Sequence, residues 1–226
     1  MKFAICVFPG SNCDYDVYYV IKDILGQSAE FVHYTQKNLE GYDCVVLPGG
    51  FSFGDYLRAG ALASKTPLAY AVQDFAQKGG LVLGICNGFQ ILTELHLLPG
   101  ALLKNENLRF ICKDVYLRVE NSQIPFTRKI EKGEVLNIPI AHGEGRYYVP
   151  EDLLKQMEDR NQIVLRYCEK DGSITPSSNP NGSIDNIAGV CNKEGNVFGL
   201  MPHPERASED LLGSHDGLLF WHSLIS

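Results

Sequence analysis

Three short apolar runs, Lys2–Phe8, Asp43–Leu47 and Leu81–Ile85, each lead directly into a turn rich in glycine. They show no alternation of polar and apolar residues, so such strands must be covered on both faces, as in a parallel sheet layered with helices. The intervening segments supply those helices. Helical spacing runs from about Asp14 to Leu25 and stops at Gly26, and again over Pro67–Gln77, stopping at Gly79-Gly80. A third helix starts at Phe89–Leu95, straight after the last run, and Ala29–Val32 reads as a further short strand. Strands separated by helices predict an α/β fold with a mostly parallel sheet and helices on both faces.

The second half is less regular. Phe110–Val119 alternates like a strand, Glu151–Arg160 is helical, and Asp216–Ile225 reads as a closing helix. Ile187–Cys191 and Val197–Met201 are expected to form a hairpin around Glu194-Gly195-Asn196. Gly172–Ser183 is rich in Ser, Pro, Asn and Gly, but a dozen residues suit a surface loop better than a linker. The expectation is one domain over residues 1–226, long enough to bury roughly 70% of the unfolded chain's surface.

Charge and cysteine usage narrow the partners. Lys and Arg number 20 against 27 Asp and Glu, a net charge of −7 without any long basic run, which argues against nucleic acid or an anionic membrane. The apolar start of the chain is too short for a signal sequence, and no stretch approaches the ~20 apolar residues of a membrane helix. Seven cysteines without a CxxC pair predict a reduced, cytoplasmic chain with neither a disulfide framework nor a zinc site, and with no identifiable nucleotide site no resident cofactor is expected.

Gly84-Ile85-Cys86-Asn87-Gly88 is the segment that carries chemistry. A nucleophile on a strained strand-to-helix turn forces backbones together, and glycines on either side remove the Cβ clashes. The helix N-terminus favours thiolate and offers the Asn87 N–H to a developing oxyanion. Alone, the pattern also suits a buried structural cysteine. A thiol nucleophile needs a base. Of six histidines, His33, His96 and His222 fall within strand or helix signals and His215 near a helix start. His203 differs: Pro202 and Pro204 fix the backbone around it, and Glu205 stands close enough to hold its ring. The predicted triad is Cys86, His203 and Glu205. Gly49-Gly50, at the end of a buried strand, is expected to supply a second oxyanion donor from the Gly50 N–H.

These elements, with Gln90 one helical turn beyond Cys86, resemble the class I (triad) glutamine amidotransferases in order and spacing. Longer segments are similar to the glutaminase subunits of phosphoribosylformylglycinamidine synthases, a family of de novo purine synthesis. They are Pro9–Asp14, Gly49–Gly60, Ala141–Arg146 and Asn179–Ser183. The resemblance implies a flavodoxin-like domain that releases ammonia from glutamine. Gly50 and Asn87 would be the oxyanion donors, and Gln90, His142, Gly143 and Glu144 would contact substrate. It also implies two partners, a synthase subunit that holds ATP and magnesium and converts formylglycinamide ribonucleotide, and a small accessory subunit. From the residues alone, His142–Glu144 could equally be a tight turn, and Arg58 either an anion contact or a plain surface arginine.

Overall fold

A computed structural model describes residues 1–226. In chain order the elements are β1 (Lys2–Val7), α1 (Asp14–Tyr19, prolonged by a π-helical turn, Val20–Ile24), β2 (Ser28–His33), β3 (Cys44–Leu47), α2 (Pro67–Gln77), β4 (Leu81–Ile85) and α3 (Asn87–Glu94). There follow β5 (Ala101–Leu103), β6 (Ile111–Val119), β7 (Val135–His142), β8 (Arg146–Tyr148) and α4 (Glu151–Asp159). The last are β9 (Ile163–Cys168), β10 (Ile187–Cys191), β11 (Val197–Leu200) and α5 (Leu218–Leu224). The fold class is α/β, as the alternation of signals predicts. The chain divides into two compact units, Met1–Leu98 with Asn196–Gly199, and Pro99–Gly195 with Leu200–Ser226.

Unit 1 holds the parallel strands, in the order β2-β1-β3-β4 with β11 beside β4. Phe3 to Cys6 of β1 and all of β3 are buried, which is why these runs carry no polar alternation. Helix α2 shows how local chemistry sets an element. The Thr66 hydroxyl accepts from the Ala69 N–H at 3.3 Å and Pro67 opens the first turn, a cap that contributes about 1 kcal/mol. Leu68, Ala69, Ala71, Val72 and Ala76 form its buried face, and Gly79, at φ 87°, ends it. Helix α1 is shorter than the spacing predicts, because the ladder widens to π-type bonding at Val20.

Unit 2 is antiparallel, in the order β10-β9-β6-β7, with β5 and β8 as a separate two-stranded ribbon. Its core includes Leu117, Val119, Ile138, Ile140, Val164, Tyr167 and Trp221, all fully buried. Strand β7 contains Pro139, tolerated because β7 is the edge of the order. No helix of the structure is long and apolar enough to cross a membrane.

Candidate active site

In unit 1 the loops that leave the carboxyl ends of β1, β3 and β4 meet, an arrangement that follows from these strands being parallel neighbours. Cys86 is the residue between β4 and α3. Its backbone lies at φ 50°, ψ −102°, a conformation that non-glycine residues seldom adopt and that stores on the order of 1–3 kcal/mol. Its flanks show why this turn needs glycine. A Cβ built on Gly84 would stand 2.8 Å from the Gly88 carbonyl carbon, and one built on Gly88 would overlap the Leu47 carbonyl oxygen at the end of β3. Cys86 itself is 5% exposed. Asn87 opens α3, so its N–H has no acceptor within the helix.

The loop after β3 is built against the loop after β1. Ser11 and Gly50 form an isolated bridge, the Phe51 N–H donates to the Gly10 carbonyl at 2.9 Å, and the Cys13 N–H donates to that of Gly49 at 3.2 Å. Gly50 has φ 149°, and a Cβ there would lie 2.8 Å from the Gly10 oxygen, so no other residue fits this approach. The Ser52 N–H then donates to Asn87 Oδ1 at 3.1 Å, and Asn87 Nδ2 donates to Gln90 Oε1 at 2.9 Å. Gly50, Asn87 and Gln90 therefore belong to one bonded cluster with Cys86. Arg58 makes two 2.6 Å bonds to the Glu94 carboxylate at the end of α3, which ties down the far end of the same loop.

In unit 2, His203 and Glu205 are paired as the sequence predicts. His203 Nδ1 lies 2.6 Å from Glu205 Oε1, with both residues 2% exposed. The His203 N–H donates to the Pro139 carbonyl at 2.8 Å, and Pro204–Arg206 forms a short 3₁₀ turn that brings the carboxylate back to the ring. A carboxylate on Nδ1 fixes the imidazole tautomer and leaves Nε2 as the working nitrogen.

His142 lies in a second cluster of unit 2. Its Nδ1 is 3.0 Å from Asn105 Oδ1, and its Nε2 is 3.5 Å from Asn181 Nδ2. Burial, then the proximity of His203, lowers its pKa to about 4, so the ring is neutral at ordinary pH. Gly143 and Glu144 follow it on a half-exposed turn, whose shape is held by bonds from the Gly145 N–H to Asn105 Oδ1 and from Asn181 Nδ2 to the Gly145 carbonyl. The loop containing Asn179–Ser183 is thus a brace for His142–Arg146. Asn105, at 0% exposure, falls in no segment that the sequence singles out, and Asn181, at 1%, lies within Asn179–Ser183 but with no role legible there, since both stand in polar stretches that give no sign of burial.

The chain belongs to the family of CobB/CobQ-like glutamine amidotransferase domains, whose model matches residues 1–217. Within that class it is 71% identical over 226 residues, the whole of both chains, to the phosphoribosylformylglycinamidine synthase subunit PurQ of Aquifex aeolicus strain VF5. It is 56% identical over 217 residues to the subunit of that name from Moorella thermoacetica, covering 96% of this chain and 92% of the other. Among solved structures it matches a chain in the structure of PurLQS from Thermotoga maritima. The TM-score is 0.88 and the identity 47%, over 99% of this chain and 97% of that one.

Proposed function

We propose that this chain is the glutaminase subunit of a phosphoribosylformylglycinamidine synthase, and that it hydrolyses glutamine to glutamate and ammonia. The observation that carries the reading is the strained Cys86 turn, with its two obligatory glycines, in a chain 71% identical to a PurQ subunit along its whole length. Cys86, as thiolate, attacks the side-chain amide of glutamine, and the Gly50 and Asn87 N–H groups stabilise the oxyanion that forms. His203 hands a proton to the departing ammonia and then draws one from the water that hydrolyses the thioester. Glu205 stabilises the imidazolium that exists before the first transfer, when the ring carries the Cys86 proton, and again after the second, until the ring returns a proton to the departing Cys86 sulfur. Gln90 and the Gly143–Glu144 turn contact the amino-acid end of the substrate, with the neutral His142 ring as the support of that turn.

No resident cofactor enters this chemistry. ATP and magnesium belong to the synthase subunit, which takes up the ammonia to convert formylglycinamide ribonucleotide to its amidine. The PurLQS assembly of a relative supports a synthase and a small accessory subunit as partners. Seven free cysteines support a cytoplasmic setting. The test is Cys86→Ala in the assembled complex: glutamine-dependent synthesis is lost, while synthesis from ammonium persists. A glutamine-analogue electrophile is expected to label Cys86 and not the other six cysteines, because it must first bind as glutamine does. Burial further quiets four of them, pushing the Cys6 and Cys44 thiols up, Cys168 to about 11 and Cys191 to about 12. Retained glutamine hydrolysis in Cys86→Ala would sink the reading.

A further inference from the structure

The residue after the nucleophile has a buried side chain that backbone chemistry does not require. Asn87 is 2% exposed, and both ends of its amide are engaged within unit 1. Oδ1 accepts from the Ser52 N–H at 3.1 Å, and Nδ2 donates to Gln90 Oε1 at 2.9 Å. The orientation is fixed by chemistry. A backbone N–H can only donate, so the oxygen must face Ser52 and the nitrogen must face Gln90. Gln90 in turn must point its own oxygen at Asn87, which directs its NH₂ away from Asn87.

Two parts of the site therefore hang on one side chain. Ser52 stands two residues from Gly50, on a loop whose backbone bonds near Gly50 run to the loop after β1, and whose Arg58–Glu94 pair reaches only the far end of the nucleophile's helix. The Ser52–Asn87 bond ties that loop directly to the turn bearing Cys86. An aliphatic residue at 87 would keep the Asn87 N–H and the glycine spacing while losing both bonds. It would also leave the buried Ser52 N–H without this acceptor.

We infer that the Asn87 side chain is a positioning residue for glutamine hydrolysis. It sets the distance between the Gly50 loop and Cys86, and it fixes the polarity with which Gln90 faces the substrate. This rests on the proposed roles of Gly50 as an oxyanion donor and Gln90 as a substrate contact. The two functions separate chemically. The first needs only an acceptor at Oδ1, and the second needs the donor at Nδ2. Asn87→Asp keeps the acceptor and removes the donor, so Gln90 turns its amide over and presents oxygen where it presented nitrogen. Asn87→Leu removes both.

The experiment uses the complex with the synthase and accessory subunits, and reads kcat and KM for glutamine beside the rate from ammonium. Asn87→Asp is expected to raise KM about tenfold and leave kcat within about threefold, because a misdirected Gln90 weakens substrate binding. Asn87→Leu is expected to lower kcat at least tenfold as well, because a displaced donor acts on the transition state. The ammonium-dependent rate stays unchanged in both, which separates a glutaminase defect from loss of assembly. If Asn87→Leu does not fold, the KM-against-kcat split of Asn87→Asp still decides. Wild-type kinetics in Asn87→Leu, or a fall in kcat without a rise in KM in Asn87→Asp, overturns the inference while Cys86 labelling leaves the glutaminase reading standing. If Cys86→Ala retains glutamine hydrolysis, it is that reading which fails.

Discussion

The His142 imidazole is 2% exposed and titrates near pH 4, against about 6.5 for a solvated histidine. Between those values the unfolded chain binds a proton that the folded chain refuses. Stability therefore rises with pH across that window, and falls as the solution is acidified from pH 6.5 towards 4. The effect is on the order of a few kcal/mol, and it reports burial of a neutral ring. His142→Asn should be less stable than wild type at pH 7 yet show a flatter dependence of Tm on pH between 6.5 and 4. Parallel melting curves for the two proteins across that range would refute a buried neutral His142. At this scale the strained turn at Cys86 and the His203–Glu205 pair could be read in the sequence because their parts are near in the chain: glycines two residues away, a carboxylate two residues on. Asn105 and Asn181 could not. Each meets His142 across more than thirty residues, and an asparagine bears no mark that it will be buried.

Close packing at the β4–α3 turn puts the site's geometry at the mercy of one methyl group. A Cβ on Gly88 would collide with backbone, the Leu47 carbonyl, rather than with a side chain able to swing away. Gly88→Ala must therefore push α3 away from β3, or fail to fold. It is expected to lower Tm by several degrees and to abolish labelling of Cys86 by a glutamine analogue. Gly133→Ala, in the turn before β7, brings the strain of a positive φ but no contact within 4 Å, so it should leave labelling intact and serves as the control. Equal labelling in both would show that the tight approach has no consequence for the nucleophile. Elements of this kind were legible because doubly buried strands and capped helices declare themselves over five to ten residues, as β1, β3, β4 and α2 do. Strand β7 was not, because Pro139 interrupts its pattern and is permitted only by the edge position, a property of the sheet and not of the segment. The short β5 and β8, three residues each, pair only with one another and offer no period to detect.

A glutaminase that ran unchecked would waste glutamine and release ammonia, so control is expected to lie with the assembly rather than the isolated chain. The loop after β3 suits such control. Phe53, Gly54, Asp55 and Leu57 all have positive φ, which for the three non-glycine residues is strained, while Tyr56 and Leu57 are 72% and 78% exposed. Its ends are tied, through Ser52 to Asn87 and through Arg58 to Glu94, so a push on the exposed middle is delivered to the elements that carry Gly50 and Cys86. Strain held between two anchors is relieved by contacts made in the middle, and docking of the synthase would supply them. Glutamate release by the isolated chain should accordingly be slow. Addition of the synthase and accessory subunits with the ribonucleotide substrate should raise it by an order of magnitude or more. The gain should fall in kcat, because settling an oxyanion donor acts on the transition state more than on bound glutamine. Tyr56→Ala with Leu57→Ala should diminish that gain without altering the slow rate of the isolated chain. The competing possibility is a site already complete, whose partner merely collects ammonia. Steady-state glutamate release decides between them, since equal kcat with and without the partners would leave the strained loop no part in activation.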